Sequence, residues 1–176
     1  MLLDRDELIT TLFRETDRAQ RLKTGLALVL CGIDGWEDWR SRLDKATVTE
    51  VEQEITKRIV RILRCYDSLG LFGDGEYCVI LPGCNGFNAV RMAERFREDV
   101  FNSTIFARGE ELQMEACFGV AGSGGRSPLV VLRNAENALQ KARARGTGSI
   151  ERSSYDAEPD PATFPSPVVE DKVLLW

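Results

Sequence analysis

The sequence has no histidine among its 176 residues, and its five cysteines are scattered without any Cys-x-x-Cys pair. Zinc sites draw most of their ligands from these two residue types at short spacings, so the composition argues against a zinc site. We therefore interpret the cysteines as reduced thiols and expect a cytoplasmic protein. They are Cys31, Cys65, Cys78, Cys84 and Cys117.

The sequence also lacks long apolar runs and any surplus of positive charge. No stretch reaches the roughly 20 apolar residues that a membrane-spanning helix needs, and no signal peptide opens the chain. The net charge is −5 and the pI is near 5.0, which leaves no excess of Lys and Arg to neutralise the phosphates of DNA or RNA. We expect neither a membrane span nor a nucleic-acid partner.

The remaining composition is that of an ordinary folded domain. Hydrophobic residues make up 43% of the chain and charged residues 29%, and the length suits one domain with a sizeable core. The composition changes at Ser153, after which acidic residues and most of the chain's prolines are concentrated. We divide the chain into a folded domain at residues 1–152 and a C-terminal tail at 153–176 without a fold of its own.

The spacing of apolar residues predicts strands that alternate with helices. The nearly continuous apolar run Leu26–Ile33 is typical of a central strand covered on both faces. A strand is also predicted over 112–121. Helices are predicted over 2–22, 36–43, 88–101 and 128–146, and a longer helix that Thr47 or Thr49 caps is predicted to end near Cys65. This alternation, together with one hairpin, indicates an α/β (α+β) fold.

The hairpin is predicted at residues 69–82, within the sequence LGLFGDGEYCVILPG. Two apolar runs flank the turn residues Gly73, Asp74 and Gly75. Glycine supplies the positive φ angles that a two-residue hairpin turn requires. The rest of the predicted architecture is arranged around this hairpin.

Several separate segments resemble one known family. GDGEYCVILP resembles GGDEFxxxLP, and ALVLCGIDGW resembles the strand that ends in Asp-x-Asp-x-Phe. NAVRMAERFRE is similar to the AxxxAERIR helix, and AENALQKARARGTGSI resembles ADxALYxAKxxGRNxV. On these motifs residues 1–152 are identified as a degenerate GGDEF domain, of the diguanylate cyclase family. The resemblance implies a nucleotidyl-cyclase-like, mostly antiparallel central sheet flanked by helices.

The resemblance also implies where the metal ligands of a cyclase would lie. The family takes carboxylates from two positions that correspond here to Gly32 and Gly75, and glycine offers no ligand to magnesium. Asp34 and Glu76 remain at neighbouring motif positions, while Asp74 stands one residue from a lost acid. We expect from this that the chain is not an enzyme and holds no magnesium or other cofactor.

A second family site, which binds the product cyclic di-GMP for inhibition, is matched more fully. Its Arg-x-x-Asp motif corresponds to Arg64 and Asp67, and two helix arginines correspond to Arg91 and Arg95. Arginine suits both phosphate and the O6/N7 edge of guanine, and a carboxylate accepts from guanine N–H groups. A solvated ion pair of little energetic consequence is the alternative interpretation.

Our expectation is a catalytically inactive GGDEF-like receptor for cyclic di-GMP, which signals through contact with a protein partner or a second protomer. Two alternatives remain open. The chain would be a nucleotide-independent scaffold if both sites are vestigial. It would be a residual enzyme or GTP sensor if the remaining acids still bind substrate.

Overall fold

The computed structural model describes residues 1–154, which form a six-stranded sheet flanked by helices and a separate two-stranded ribbon. The predicted tail at 153–176 lies outside the described residues, apart from its first two. In chain order the elements are β1 (Leu2–Leu3), α1 (Arg5–Leu22), β2 (Leu26–Ile33), α2 (Trp36–Arg42), α3 (Lys45–Ile62), β3 (Ser68–Gly73), β4 (Glu76–Pro82), α4 (Gly86–Phe96), a π-helical turn (Arg97–Phe101), β5 (Ile105–Ala107), β6 (Glu110–Leu112), β7 (Ala116–Gly122), α5 (Pro128–Arg145) and β8 (Ile150–Arg152).

The six-stranded sheet has the order β1-β3-β4-β2-β7-β8. The four inner strands pair antiparallel, and the two short edge strands each pair parallel to their neighbour. This confirms the predicted mostly antiparallel central sheet. β5 and β6 form the separate two-stranded ribbon.

β2 lies at the centre of the domain because both of its faces are apolar and every one of its residues is buried. Successive side chains of a strand point to opposite faces, so alternate residues of β2 enter two different hydrophobic clusters. One cluster joins the sheet to α3 and α4 and contains Ala27, Val29, Cys31 and Ile33. The other joins it to α1 and α5 and contains Leu26, Leu28 and Leu30.

The predicted hairpin is confirmed as β3 and β4. Its turn is formed by Asp74 and Gly75, and Gly75 has a φ of +68°. An L-amino acid with a side chain rarely adopts this left-handed conformation, which explains the glycine.

Helix α5 lies very close to the sheet at Gly119 of β7. A Cβ atom at this position would collide with the backbone N of Leu139 and the carbonyl O of Ala135, and would lie 2.8 Å from Leu139 Cα. Only a residue without a side chain permits this distance between helix and strand.

Several boundaries differ from the predicted ones, and three of the differences have a structural cause. α3 begins before Thr47, because the Asp44 carboxylate caps the helix and accepts a hydrogen bond from Thr47 N at 2.7 Å. Residues 2–3, predicted as helix, form β1, since Asp4 caps α1 instead. The predicted strand over 112–121 begins only at Ala116, because Leu112 pairs with β5 and belongs to the ribbon.

The chain after α4 is held against α3 by one arginine. The Arg58 guanidinium donates hydrogen bonds to the carbonyl oxygens of Val100 at 2.9 Å, Ser103 at 3.2 Å and Thr104 at 2.8 Å. Its Nε donates to Glu54 on the same helix at 2.9 Å. These contacts satisfy carbonyl groups near the end of the π-helical turn, where the helical hydrogen-bond ladder stops.

Candidate functional site

Three acidic residues lie at one end of the central strands, where the β3–β4 turn meets the end of β2. Glu76 begins β4 and is the register partner of Gly32 in β2. Asp34 follows β2, and its backbone N–H donates to the carbonyl of Glu115 at 2.8 Å. Asp74 belongs to the turn itself. The hairpin and the central strand therefore bring together the acids that the motifs singled out.

The space beside Gly32 is filled by a cation from α5. A Cβ atom at Gly32 would collide with the guanidinium of Arg143. Arg143 Nη2 donates to Glu76 Oε1 at 2.9 Å, and the two side chains are 33% and 25% exposed. The glycine thus makes room for an arginine that neutralises one of the three acids.

The space beside Gly75 is filled by an indole ring. A Cβ atom at Gly75 would lie 2.5 Å from Trp36 Cδ1, so the ring of this buried tryptophan packs directly on the turn. Trp36 Nε1 donates to Asp74 Oδ1 at 3.2 Å, and Arg40 forms an ion pair with the same carboxylate. Two residues of α2 therefore hold the turn and engage its acid.

Asp34 is engaged by the connection between α5 and β8. Its Oδ2 accepts a hydrogen bond from Gly148 N at 3.1 Å, and its Oδ1 accepts one from Cys117 Sγ at 3.2 Å. Burial, with this hydrogen bond as a lesser cause, raises the pKa of the Cys117 thiol to about 11. The thiol therefore stays protonated and donates to Asp34 at neutral pH.

These acids do not fit a magnesium ion in the arrangement described. Magnesium requires carboxylate oxygens in near-octahedral geometry. Glu76 instead faces a guanidinium, and Asp34 and Asp74 accept hydrogen bonds from other groups. Within residues 1–154 no group of three or more Cys, Asp or Glu side chains is placed to hold a metal ion.

A hollow of about 480 Å³ opens beside Asp34. Its lining is mixed in polarity, and includes Trp39, Gln113, Met114 and Thr147.

The Arg-x-x-Asp motif forms a compact turn between α3 and β3. Asp67 Oδ2 accepts hydrogen bonds from Arg64 N at 2.8 Å and Arg64 Nε at 3.2 Å, and Oδ1 accepts one from Arg64 Nη2 at 3.2 Å. These hydrogen bonds raise the pKa of Arg64 above its ordinary value, so the guanidinium stays charged. The Asp67 side chain has no exposed surface, whereas that of Arg64 is 42% exposed. Asp67 therefore fixes the orientation of a cation that still faces solvent.

The two arginines predicted from α4 lie in other surroundings. Arg95 is exposed and lies 3.9 Å from Asp99, one turn further along the chain. Arg91 lines a hollow with Phe87, while Arg152 of β8 places its guanidinium 3.9 Å from the centre of that ring. Arg64 and Asp67 are thus in direct contact, as a joint site requires, whereas Arg91 and Arg95 each have other neighbours.

A further hollow, of about 320 Å³, is lined in part by Arg64. Arg64 places its guanidinium 4.6 Å from the centre of the Tyr66 ring, and Glu15 of α1 also lines the hollow. Neither residue was predicted as part of a site from the sequence. Tyr66 could have been predicted, since an aromatic residue inside the Arg-x-x-Asp motif is a candidate stacking surface. Glu15 could not, because the spacing of residues along α1 does not distinguish it from the other charged residues of that helix.

A comparison with models of protein families identifies the family of this chain. The family model described as "Diguanylate cyclase, GGDEF domain" matches residues 1–149. The chain belongs to the GGDEF family. The GGDEF fold therefore accounts for the sheet, the hairpin and the flanking helices, as the sequence motifs predicted.

Individual relatives agree with this assignment. Diguanylate cyclase DosC of Escherichia coli is 25% identical over 152 residues, which cover 85% of this chain and 33% of that protein. The chain thus spans about a third of the length of this relative. SiaD of Pseudomonas aeruginosa, solved with its activator SiaC, has a TM-score of 0.80 at 25% identity, covering 86% of this chain and 58% of that one. The GGDEF domain of DgcB from Caulobacter crescentus, solved with c-di-GMP, has a TM-score of 0.81 at 20% identity, covering 87% and 89%.

The expectation that the chain is not an enzyme is wrong on these comparisons. The GGDEF model that matches is that of diguanylate cyclases, and DosC is named for that activity. The expectation rested on Gly32 and Gly75, and two substituted positions do not by themselves show a loss of activity. For the same reason the description of the domain as degenerate is not retained. In residues 1–154 no helix is long and apolar enough to cross a membrane.

Proposed function

We propose that this GGDEF domain binds cyclic di-GMP at the turn formed by Arg64 and Asp67, with Arg91 and Arg95 of α4 contributing further positive charge. The observation that carries the proposal is the pairing of a fully buried Asp67 with an Arg64 that remains open to solvent. A buried carboxylate that holds an exposed guanidinium in one orientation is the arrangement that preorganised anion recognition requires.

The chemistry of the ligand matches that of the turn. Cyclic di-GMP carries two phosphates and two guanines, and a guanidinium binds either a phosphate or the O6/N7 edge of guanine in bidentate geometry. Its plane also stacks on an aromatic base. The relative DgcB was solved with c-di-GMP, which supports this ligand for the family.

Binding at this turn requires no metal ion in the proposal, because the guanidinium groups supply the positive charge that the phosphates need. Affinity should therefore be the same with EDTA as with magnesium. A product site of this kind suits an enzyme of the family as well as a receptor.

The turn lies on the surface, so a second protomer or a partner protein is able to cover the bound dinucleotide. Ligand binding would then change which protein surfaces meet, and the output would be a protein–protein contact. The structure of SiaD with SiaC supports the use of this fold in contacts with other proteins.

Isothermal titration calorimetry with cyclic di-GMP tests the proposal. The wild type should release heat at micromolar ligand, Arg64→Ala should bind at least about tenfold more weakly, and Arg91→Ala and Arg95→Ala should each weaken binding less. Arg61→Ala is the matched control, since Arg61 is an exposed arginine in the last turn of α3 outside the motif.

Absence of heat from the wild type at tens of micromolar ligand would remove the proposal. A partner pull-down that is unchanged by dinucleotide and by Arg64→Ala would then favour the nucleotide-independent scaffold.

A further inference from the structure

β8 is the last strand on its side of the six-stranded sheet, and no other strand in residues 1–154 pairs with its outer edge. Ser153 N donates to the carbonyl of Val120 in β7 at 2.8 Å, so the backbone of Ser153 faces into the sheet. Successive residues of a strand direct their N–H and C=O groups to opposite sides. The backbone groups of Ile150 and Arg152 therefore point away from β7, toward the open edge.

The opposite edge of the sheet has partners that the β8 edge lacks. There β1 pairs with the first part of β3, and Arg5 Nη1 donates to the carbonyl of Phe72 further along β3 at 3.1 Å. Among the described residues, no side chain forms a hydrogen bond with the backbone of Ile150 or Arg152. An edge strand with open backbone groups pairs readily with another extended segment.

Two hollows flank β8, one on each face of the sheet. The α4-side hollow has a volume of about 450 Å³ and is lined by Phe87, Val90, Arg91, Glu94, Ile150 and Arg152, among others. The Phe87 ring is 55% exposed, and the Arg152 guanidinium lies 3.9 Å from its centre. This hollow therefore offers apolar surface together with two cations.

The α5-side hollow has a volume of about 310 Å³, and its lining includes Asn134, Asn137, Lys141 and Ser153. Asn134 is only 7% exposed, and its amide has no hydrogen-bond partner among the described residues. A strand added to β8 would direct alternate side chains into the two hollows, because successive side chains of a strand point to opposite faces. Open backbone groups between two hollows are the arrangement that strand addition uses.

The charge of the edge is complementary to that of the residues that follow β8. Arg91 and Arg152 on the α4 side and Lys141 on the α5 side form no ion pair with any acid in the described part of the chain. Residues 155–176 contain five acidic residues and one lysine, so they carry most of the net charge of −5. Attraction between this segment and the β8 edge follows from these charges.

The distribution of proline selects one part of that segment. Residues 155–167 contain four prolines, which lack the N–H that strand pairing needs, whereas residues 168–176, VVEDKVLLW, contain none. Valine at 168, 169 and 173 favours an extended conformation. The connection over 155–167 reaches about 40 Å when extended, which is ample for a return to the neighbouring edge.

We infer that residues 168–176 pair with the outer edge of β8 and add a further strand to the sheet. Ile150 and Arg152 exchange backbone hydrogen bonds with this segment, and its side chains alternate between the two hollows. Glu170 and Asp171 are adjacent, so they face opposite hollows, each of which holds at least one unpaired cation. The inference is independent of the proposed ligand.

Amide hydrogen exchange of the full chain, followed by NMR, tests the inference. Lys172→Pro combined with Val173→Pro removes two adjacent N–H groups, one of which must face β8. The amides of Ile150 and Arg152 should exchange at least about tenfold faster in this double variant than in the wild type. Ala162→Pro combined with Thr163→Pro is the matched control in the proline-rich connection, and it should exchange like the wild type.

The amide of Ser153 faces β7 and should exchange equally in all three proteins, which shows that the sheet itself is intact. A synthetic peptide of sequence VVEDKVLLW, added to the double variant, should restore the slow exchange of Ile150 and Arg152. Equal exchange of these two amides in the wild type and the double variant would overturn the inference. Protection that rises with protein concentration would also overturn it, because a second copy of the chain would then cover the edge.

Discussion

Replacing Gly75 by alanine should destabilise the domain more than the same replacement at Gly83. Both glycines have positive φ, +68° and +71°, so both changes place an L-residue in the left-handed region. They differ in their surroundings. A Cβ atom at Gly83 meets nothing within 4 Å, whereas one at Gly75 lies 2.5 Å from Trp36 Cδ1 and 2.9 Å from Trp36 Cβ.

The expected loss in the free energy of unfolding has two separate contributions. The left-handed conformation costs a residue with a side chain about 1–2 kcal/mol, and this applies at both positions. At Gly75 the indole must also move away, at about 1–3 kcal/mol for overpacking, and it would stretch the Trp36–Asp74 hydrogen bond. We expect a loss of about 2–5 kcal/mol for Gly75→Ala.

Urea unfolding monitored by far-UV circular dichroism measures both free energies of unfolding. A double-mutant cycle then isolates the contact: in a Trp36→Ala background, Gly75→Ala should cost no more than Gly83→Ala does in the wild type. Equal losses for the two glycines in the wild-type background would show that Trp36 does not pack on the turn.

Three further outcomes are expected. The Cys65 thiol should give the fast phase of labelling by a thiol reagent at pH 8, and Cys65→Ser should remove that phase in an absorbance assay, because the other four cysteines are buried. Burial also raises the pKa of Cys78 to about 12. The pKa of Asp44 is lowered by the backbone N–H of Thr47, so the stabilisation by this cap is present above the unfolded-state pKa and is lost as pH falls through the lower folded-state pKa. Melting temperatures recorded below about pH 4 should therefore fall more steeply for the wild type than for Asp44→Asn, and equal slopes would contradict this. Gly119→Ala should lower the free energy of unfolding by about 3 kcal/mol or more in urea titrations, since helix backbone blocks the new methyl group, and a loss below about 1 kcal/mol would refute the close approach.

The parts of the fold that the sequence predicts are those set by local pattern. The apolar run of β2 predicts a strand buried on both faces, and the Gly-Asp-Gly turn predicts the hairpin. The boundaries are less predictable, because they depend on which of several polar residues caps a helix. Asp44, and not Thr47, caps α3, and only the path of the chain before the helix decides between them.

Some contacts of the candidate site can likewise be predicted from the sequence, and others cannot. The contact between Arg64 and Asp67 follows from their spacing within one turn, which the motif contains. The filling of the space beside Gly32 by Arg143 does not follow, because Arg143 and its partner Glu76 are 67 residues apart and meet only across the folded sheet. The expectation about activity rested on the two glycines alone, and the comparison with the family overturned it.

Arg58 joins α3 to the segment that leads into the β5–β6 ribbon, and it does so through the shape of its side chain. Its fork reaches three carbonyls at once, and the side chain is only 14% exposed, so water has little access to replace it. A lysine would bring the same charge as a single point and leave at least one of these carbonyls without a donor. Conserving charge is therefore not enough at this position, because three carbonyl groups ahead of the ribbon share one planar, multidentate donor.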